Sequence, residues 1–367
     1  MNELRNRQVI SSLLEIIAHK TATLSKLPIR IMEVCGTHTM SIHRHGLRPL
    51  LEERGIEMLS GPGCPVCITP DAYHEAAIKL VSTNSNIILA TFGDMTRVPT
   101  RVGSLQTAIP AAGSQVKIVY SPIESLNLAK AHPEQEVVFF GVGFETTIPS
   151  IALCVKKAKE ERLSNYSLLS ALWIIPPPLR AIVSSQDTKI DAFLYPGHVS
   201  AIIGEAPYQF LADEFNIPGA ITGFEPADIL LAISSLLDLI KKGRAEVINE
   251  YRRVVAPQGN PQALQIMAEM LVEKDAFWRG LGYIPQSGLK LKDNYQEYDA
   301  EIKFSLEISP EETHLPGCRC GEVLRGKISP LSCPLFGQAC TPASPQGPCM
   351  VSFEGACLAF YKYDYQN

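Results

Sequence analysis

Leu4, Val9, Ile10, Leu13, Leu14 and Ile17 recur three and four residues apart, a spacing that predicts an amphipathic helix at the start of the chain. Beyond it, short β-branched or aliphatic runs alternate with longer mixed stretches. Ile29 to Val34, Ile56 to Leu59, Ile87 to Phe92, Lys117 to Tyr120, Val137 to Val142, Leu168 to Ile175 and Ala192 to Tyr195 read as strands. Ser41 to Glu53, Asp71 to Val81 and Thr147 to Leu163 read as helices between them. Such alternation predicts βαβ units and parallel sheets with helices on both faces. Two loops echo each other, Gly143-Phe144-Glu145 and Gly223-Phe224-Glu225, each between a strand-like run and a helix. The echo suggests two related lobes facing one another.

After Glu225 the rhythm changes. Ala227 to Lys242 and Pro261 to Lys274 carry helical periodicity, Leu281 to Ile284 and Phe304 to Ile308 give short strand signals, and the end is dense in Cys, Pro and Gly. Pro176-Pro177-Pro178 reads as a rigid turn. The expected class is α/β: two Rossmann-like parallel-sheet lobes around a cleft, plus a C-terminal Cys-rich iron–sulfur domain. The expected segments are 1–120 and 121–224 for the lobes and 225–367 for the rest.

Composition narrows the function. With 46% apolar residues in 367, the chain can build more than one core. A formal net charge of −5, without any basic block, argues against nucleic-acid binding. Ile229 to Ile240, the longest apolar candidate, falls short of the ~20 residues of a bilayer span and is broken by Ser234, Ser235 and Asp238. The N-terminus lacks the continuous apolar core of a secretion signal, so a cytoplasmic protein is expected. There is no phosphate-binding G-x-x-x-x-G-K-[ST] loop, and Gly141-Val-Gly143 lacks the rest of a dinucleotide fingerprint.

The chemistry lies in the cysteines. Cys35-Gly-Thr-His38-Thr follows the first strand run, and Leu59-Ser-Gly-Pro-Gly-Cys64-Pro-Val-Cys67-Ile-Thr-Pro70 puts its two thiols in a Gly/Pro turn directly after the second. Loops after strands are where open α/β sheets present ligands and reactants. Cys64 and Cys67 suit thiol redox chemistry and soft-metal ligation equally. With Thr69 read as N-cap and Pro70 as first helical residue, both thiols precede the helix, which weakens dipole stabilisation of a thiolate. His38 is a candidate ligand, acid/base or supporting donor, whereas His43 and His45 read as a solvated helix face. Asp94, Glu145 and His198 sit at strand ends and are candidate cleft residues. Cys154 reads as a core thiol. At the C-terminus Cys318, Cys320, Cys333, Cys340, Cys349 and Cys357 form C-x-C-x12-C-x6-C-x8-C-x7-C. In a reducing compartment this favours a metal or cluster over disulfides, and the absence of C-x2-C knuckles favours iron–sulfur over zinc.

These motifs, with Thr91-Phe-Gly-Asp-Met95, Gly143-Phe-Glu-Thr-Thr147, Gly197-His-Val-Ser200 and the stretch from Pro316 to Cys357, resemble the hydrogenase maturation family HypD over almost the whole chain. The resemblance implies a scaffold that assembles the Fe(CN)2CO unit of [NiFe] hydrogenase with a HypC-like small chaperone and a HypE-like cyanide donor. It implies iron at Cys35, with Cys64 and Cys67 as further ligands or a redox pair and His38 in support. It also likens the C-terminal region to ferredoxin:thioredoxin reductase, with Cys318, Cys333 and Cys340 as [4Fe-4S] ligands and Cys320 as a redox thiol. Spacing leaves the fourth ligand open between Cys357, the preferred one, and Cys349. The alternative is an iron–sulfur-dependent thiol-disulfide reductase, and a third reading is an iron–sulfur interaction module with no chemistry in the cleft.

Overall fold

The computed structural model, described over residues 3–185, 189–308 and 317–365, gathers the strands into two sheets. The first has the order β2-β1-β7-β8-β9, with β1 Ile29–Glu33, β2 Ile56–Ser60, β7 Ala192–Pro196, β8 Gly219–Thr222 and β9 Val247–Asn249, all parallel. The second has the order β10-β11-β6-β5-β3-β4, with β3 Ile87–Thr91, β4 Gln115–Ile118, β5 Glu136–Gly143, β6 Tyr166–Trp173, β10 Leu271–Trp278 and β11 Gly282–Leu291. Strands β3 to β6 run parallel, and the antiparallel β10–β11 hairpin joins through Gly288 opposite Trp173. Every residue of β6 is buried, as expected of a sheet covered on both faces.

The sheets cut across the linear segments. Of the strands within 1–120, β1 and β2 enter the first sheet and β3 and β4 the second; of those within 121–224, β5 and β6 enter the second and β7 and β8 the first. Each lobe is therefore assembled from both segments, because apolar strands pair wherever their edges meet and not in chain order. Segment 225–367 is divided too, since β9 closes one sheet and β10–β11 extends the other.

Local differences have local causes. Pro176-Pro177-Pro178 opens the helix Pro176–Ser184 instead of forming a rigid turn, since the first helical positions need no N–H donor. The helix expected to Lys274 stops at Met270, and Leu271 to Lys274 belong to β10. Phe304 to Ile308 form no strand and follow the helix Ala300–Lys303. The helix expected from Ser41 starts at Gly36 and ends at Arg44, before Gly46 turns the chain at φ 62° into Leu47–Glu52. Pro316 lies outside the described residues.

The opening helix, Arg7–Thr21, packs on Pro226–Lys241 and covers the outer face of the first sheet. Cys154 is buried against the second sheet, as its pattern predicts. A continuous apolar cluster between the sheets takes in Cys64, Cys67 and the buried C-terminal cysteines. Among the described residues no helix is long and apolar enough to cross a membrane.

Candidate functional site

Six loops leave the carboxyl ends of strands: Cys35 after β1, Gly61 to Cys67 after β2, Gly93-Asp94 after β3, Gly143 to Glu145 after β5, Gly197-His198 after β7 and Gly223 to Glu225 after β8. Cys35 is the N-cap of the helix Gly36–Arg44, in extended backbone conformation; its side chain makes no capping hydrogen bond, and the N–H groups of Thr37 and His38 in the first turn favour its thiolate. Its own N–H donates to Glu33 Oε2 at 3.0 Å, while Thr39 Oγ donates to Glu33 Oε1 at 2.5 Å. Burial, then Glu354, then Glu33 push the Cys35 thiol up to about 12 against those helix N–H groups. Burial raises Glu33 to about 8 although Thr39, Cys35 and Ser60 all donate to it. In this state both groups are neutral near pH 7.

The second thiol loop touches the first by backbone. Gly36 N–H donates to the Gly63 carbonyl at 3.0 Å, and a Cβ on Gly63 would lie 2.3 Å from the Cys35 nitrogen. Only glycine permits that approach. Cys64 is the N-cap of a short helix, Pro65–Ile68, and its sulfur accepts from the Cys67 N–H at 3.2 Å. Pro70 caps the next helix, Asp71–Thr83, so the thiols lie within a capped turn of their own and not ahead of a Thr69 cap. Cys64 and Cys67 are joined as a disulfide, with Cα atoms 5.3 Å apart, and both are buried.

His38 is fully buried. Its Nε2 lies 2.9 Å from the Gly223 carbonyl, which can only accept, so the proton is on Nε2 and the Nδ1 lone pair is left without a partner. Burial lowers the ring to about 4 and keeps it neutral. Phe224 lies between His38 and the exposed His198, at centroid distances of 4.7 and 4.0 Å. His45 is exposed as expected, but His43 is buried, with Nδ1 3.0 Å from Asp364 Oδ2, because the C-terminal helix Ala356–Tyr363 covers that face. Glu145 lines an interlobe cleft of about 620 Å³; its Oε1 accepts from Ile175 N–H at 2.9 Å, its Oε2 is buried without a partner, and burial raises it to about 7. Tyr208, fully buried, is electrostatically close to both Glu145 and Cys35. Asp94 faces the C-terminal segment and accepts from the Phe353 N–H at 3.0 Å.

All six C-terminal cysteines line one small cavity with Val323, Leu335, Phe336, Gly347 and Met350. Cys318, Cys320, Cys349 and Cys357 interact as successive neighbours, and contact with Cys320 and burial push Cys318 far above a free thiol. Among the described residues no three His, Cys, Asp or Glu side chains are gathered as a metal site. The donors nevertheless suit a [4Fe-4S] group in kind, which takes four thiolates from dry surroundings. The wall is bare at Gly347, where a Cβ would come within 2.8 Å of Cys318 Sγ. This cavity adjoins the first site, for the helix Pro348–Val351, which holds Cys349, packs on Pro65–Ile68.

Sequence reasoning missed Glu33, Glu354 and Tyr208. Glu33 had a signal in its position, a carboxylate on the strand just before Cys35; the others become neighbours only through the tertiary fold.

The profile of the HypD family, described as "Hydrogenase formation hypA family", matches residues 8–364. The hydrogenase maturation factor HypD of Rhodobacter capsulatus is 42% identical over 351 residues, 95% of this chain and 92% of its own. That of Escherichia coli (strain K12) is 44% identical over 362 residues, 98% and 95% of the two chains. That of Rhizobium leguminosarum bv. viciae is 44% identical over 339 residues, 90% and 87%.

Proposed function

This chain belongs to the HypD family of hydrogenase maturation factors, and from that premise we propose that it holds iron at Cys35 while the Fe(CN)2CO unit of [NiFe] hydrogenase is assembled. The observation that carries the reading is the setting of Cys35: a free thiol at a helix N-cap, backbone to backbone with the loop of Cys64 and Cys67. Iron replaces the thiol proton, and the N–H groups of Thr37 and His38 then stabilise the thiolate sulfur. The Nδ1 lone pair of His38 offers a base or acceptor in the same turn. Iron is cargo here, bound for delivery, so one protein thiolate shared with a cysteine of a HypC-like chaperone suits release better than a closed protein cage. A HypE-like partner supplies cyanide.

Cys64 and Cys67 act as a redox gate, since a disulfide offers no thiolate to iron and its reduction, taking two electrons and two protons, frees two thiols. Four C-terminal cysteines, Cys318, Cys333, Cys340 and Cys357, with Cys349 as alternate, would hold a [4Fe-4S] cluster, leaving Cys320 as a redox thiol. When bound, the cluster supplies single electrons. The disulfide also suits a thiol-disulfide reductase, but burial of both sulfurs argues against access by a protein substrate.

The test is infrared spectroscopy of protein purified anaerobically with its chaperone partner. Bands of metal-bound CN and CO support the scaffold; turnover of protein disulfides without bound iron supports the reductase.

A further inference from the structure

The β10–β11 turn carries a buried cation to which the reading above gives no role. Arg279 is 5% exposed. Its N–H donates to the Ile68 carbonyl at 2.8 Å, its Nε donates to the Thr69 carbonyl at 3.1 Å, and its guanidinium pairs with buried Asp71. Ile68 and Thr69 close the short helix that begins at Cys64. On the other side Gly280 lies against Gly321, where a Cβ on Gly280 would come 2.2 Å from the Gly321 Cα. Gly321 follows Cys320, so one hairpin turn is wedged between the disulfide helix and the thiol cavity.

A buried ion pair is weak evidence for stability, because apolar residues of equal volume often serve a core as well. Its placement therefore calls for another role. We propose that Arg279, balanced by Asp71, is a positioning residue that fixes the Cys64–Cys67 helix against the C-terminal thiol cavity and sets the reduction potential of the iron–sulfur group held there. This rests on the iron–sulfur reading above. A fixed positive charge stabilises the reduced, more negative state of a nearby centre. A fixed negative charge opposes it.

The two charges thus predict shifts of opposite sign, which a packing role does not. Full-length protein is loaded with iron and sulfide under anaerobic conditions and titrated by visible absorption. Arg279→Gln should shift the one-electron equilibrium about tenfold toward the oxidised form, about 59 mV lower. Asp71→Asn should shift it about tenfold toward the reduced form, about 59 mV higher. Arg279→Lys, which keeps the charge but not the fork, should stay closer to the wild type than Arg279→Gln. Iron content and far-ultraviolet circular dichroism report folding, and Asp71→Asn carries the test if Arg279→Gln does not fold. Potentials that do not move, or that move in the same direction in both charge variants, overturn the role of Arg279 alone. A wild-type protein that takes up no iron–sulfur chromophore overturns this role and the reading beneath it together.

Discussion

Cys35 owes its setting to its neighbours. Glu33 fixes its N–H, two N–H groups in the first turn of Gly36–Arg44 favour its thiolate, and Gly63 leaves room for nothing larger. Cys35→Ala should therefore abolish cyanide and CO bands in the infrared while leaving the visible absorption of a C-terminal cluster, because the two thiol sets lie in different loops. Loss of the cluster in that variant would sink the two-site reading. Glu145 gives a pH prediction. Its carboxyl is raised from 4.5 to about 7 in the fold, so between those values the unfolded chain releases a proton that the folded chain keeps. Stability from this group therefore falls as pH rises through that window, by roughly 3 kcal/mol once both states are ionised. Glu145→Gln keeps an acceptor for Ile175 N–H and should flatten that part of the slope in urea unfolding between pH 5 and pH 8; an unchanged slope would refute the buried neutral carboxyl. At this scale rare chemistry was legible and its support was not. Cysteines and His38 stand out in any sequence, but Arg279 reads as one arginine among many until the hairpin carries it to the disulfide helix.

At the scale of elements, alternating apolar runs identified most strands because a strand buried on both faces is apolar over most of its length, as β5 and β6 are. Pairing was not legible, since nothing in Ala192 to Pro196 says that it will lie beside β1 and not beside β6. The capped turn of Cys64 was also missed, because Thr69-Pro70 is an equally good local start signal and packing decides between the two. That turn makes a prediction of its own. With Cα atoms already 5.3 Å apart, Cys64→Ser or Cys67→Ser should block the disulfide and leave the fold intact. In the unsubstituted chain, with its partner present, oxidation of the pair should weaken iron binding and reductant should restore it. Free thiols and bound iron measured across one redox titration decide it: iron affinity that stays constant while the pair oxidises removes the gate. In the cysteine-rich end, Cys333→Ala should lose cluster iron and Cys320→Ala should retain it, and the reverse pattern of iron contents would exchange their roles.

At the scale of the molecule, the cysteine-rich end is a clamp between the lobes. On the first-sheet side Thr37 Oγ donates to Glu354 at 3.2 Å, a Cβ on Gly36 would lie 2.3 Å from the Glu354 Cβ, and Asp364 holds His43 and Arg48. On the second-sheet side Asp94 accepts from Phe353 N–H, and Arg97 donates to the Val351 carbonyl at 3.1 Å. Residues 351–354 thus hold loops from both sheets while Glu354 stands against the turn of Cys35. Closing the site and joining the lobes are then one event. Breaking only the second-sheet grip should open the site at Cys35 without unfolding either sheet, because Asp94 and Arg97 are half-buried residues outside the apolar cores. The double variant Asp94→Ala, Arg97→Ala should show faster backbone hydrogen exchange across 348–356 and at least roughly tenfold faster alkylation of Cys35, whose reactivity follows its exposure. Protection in β5 and β6 should not change. Should Cys35 react at the wild-type rate while 348–356 exchanges freely, the segment would be a cover for the thiol cavity alone, and access to Cys35 would be governed by the loops of the first sheet.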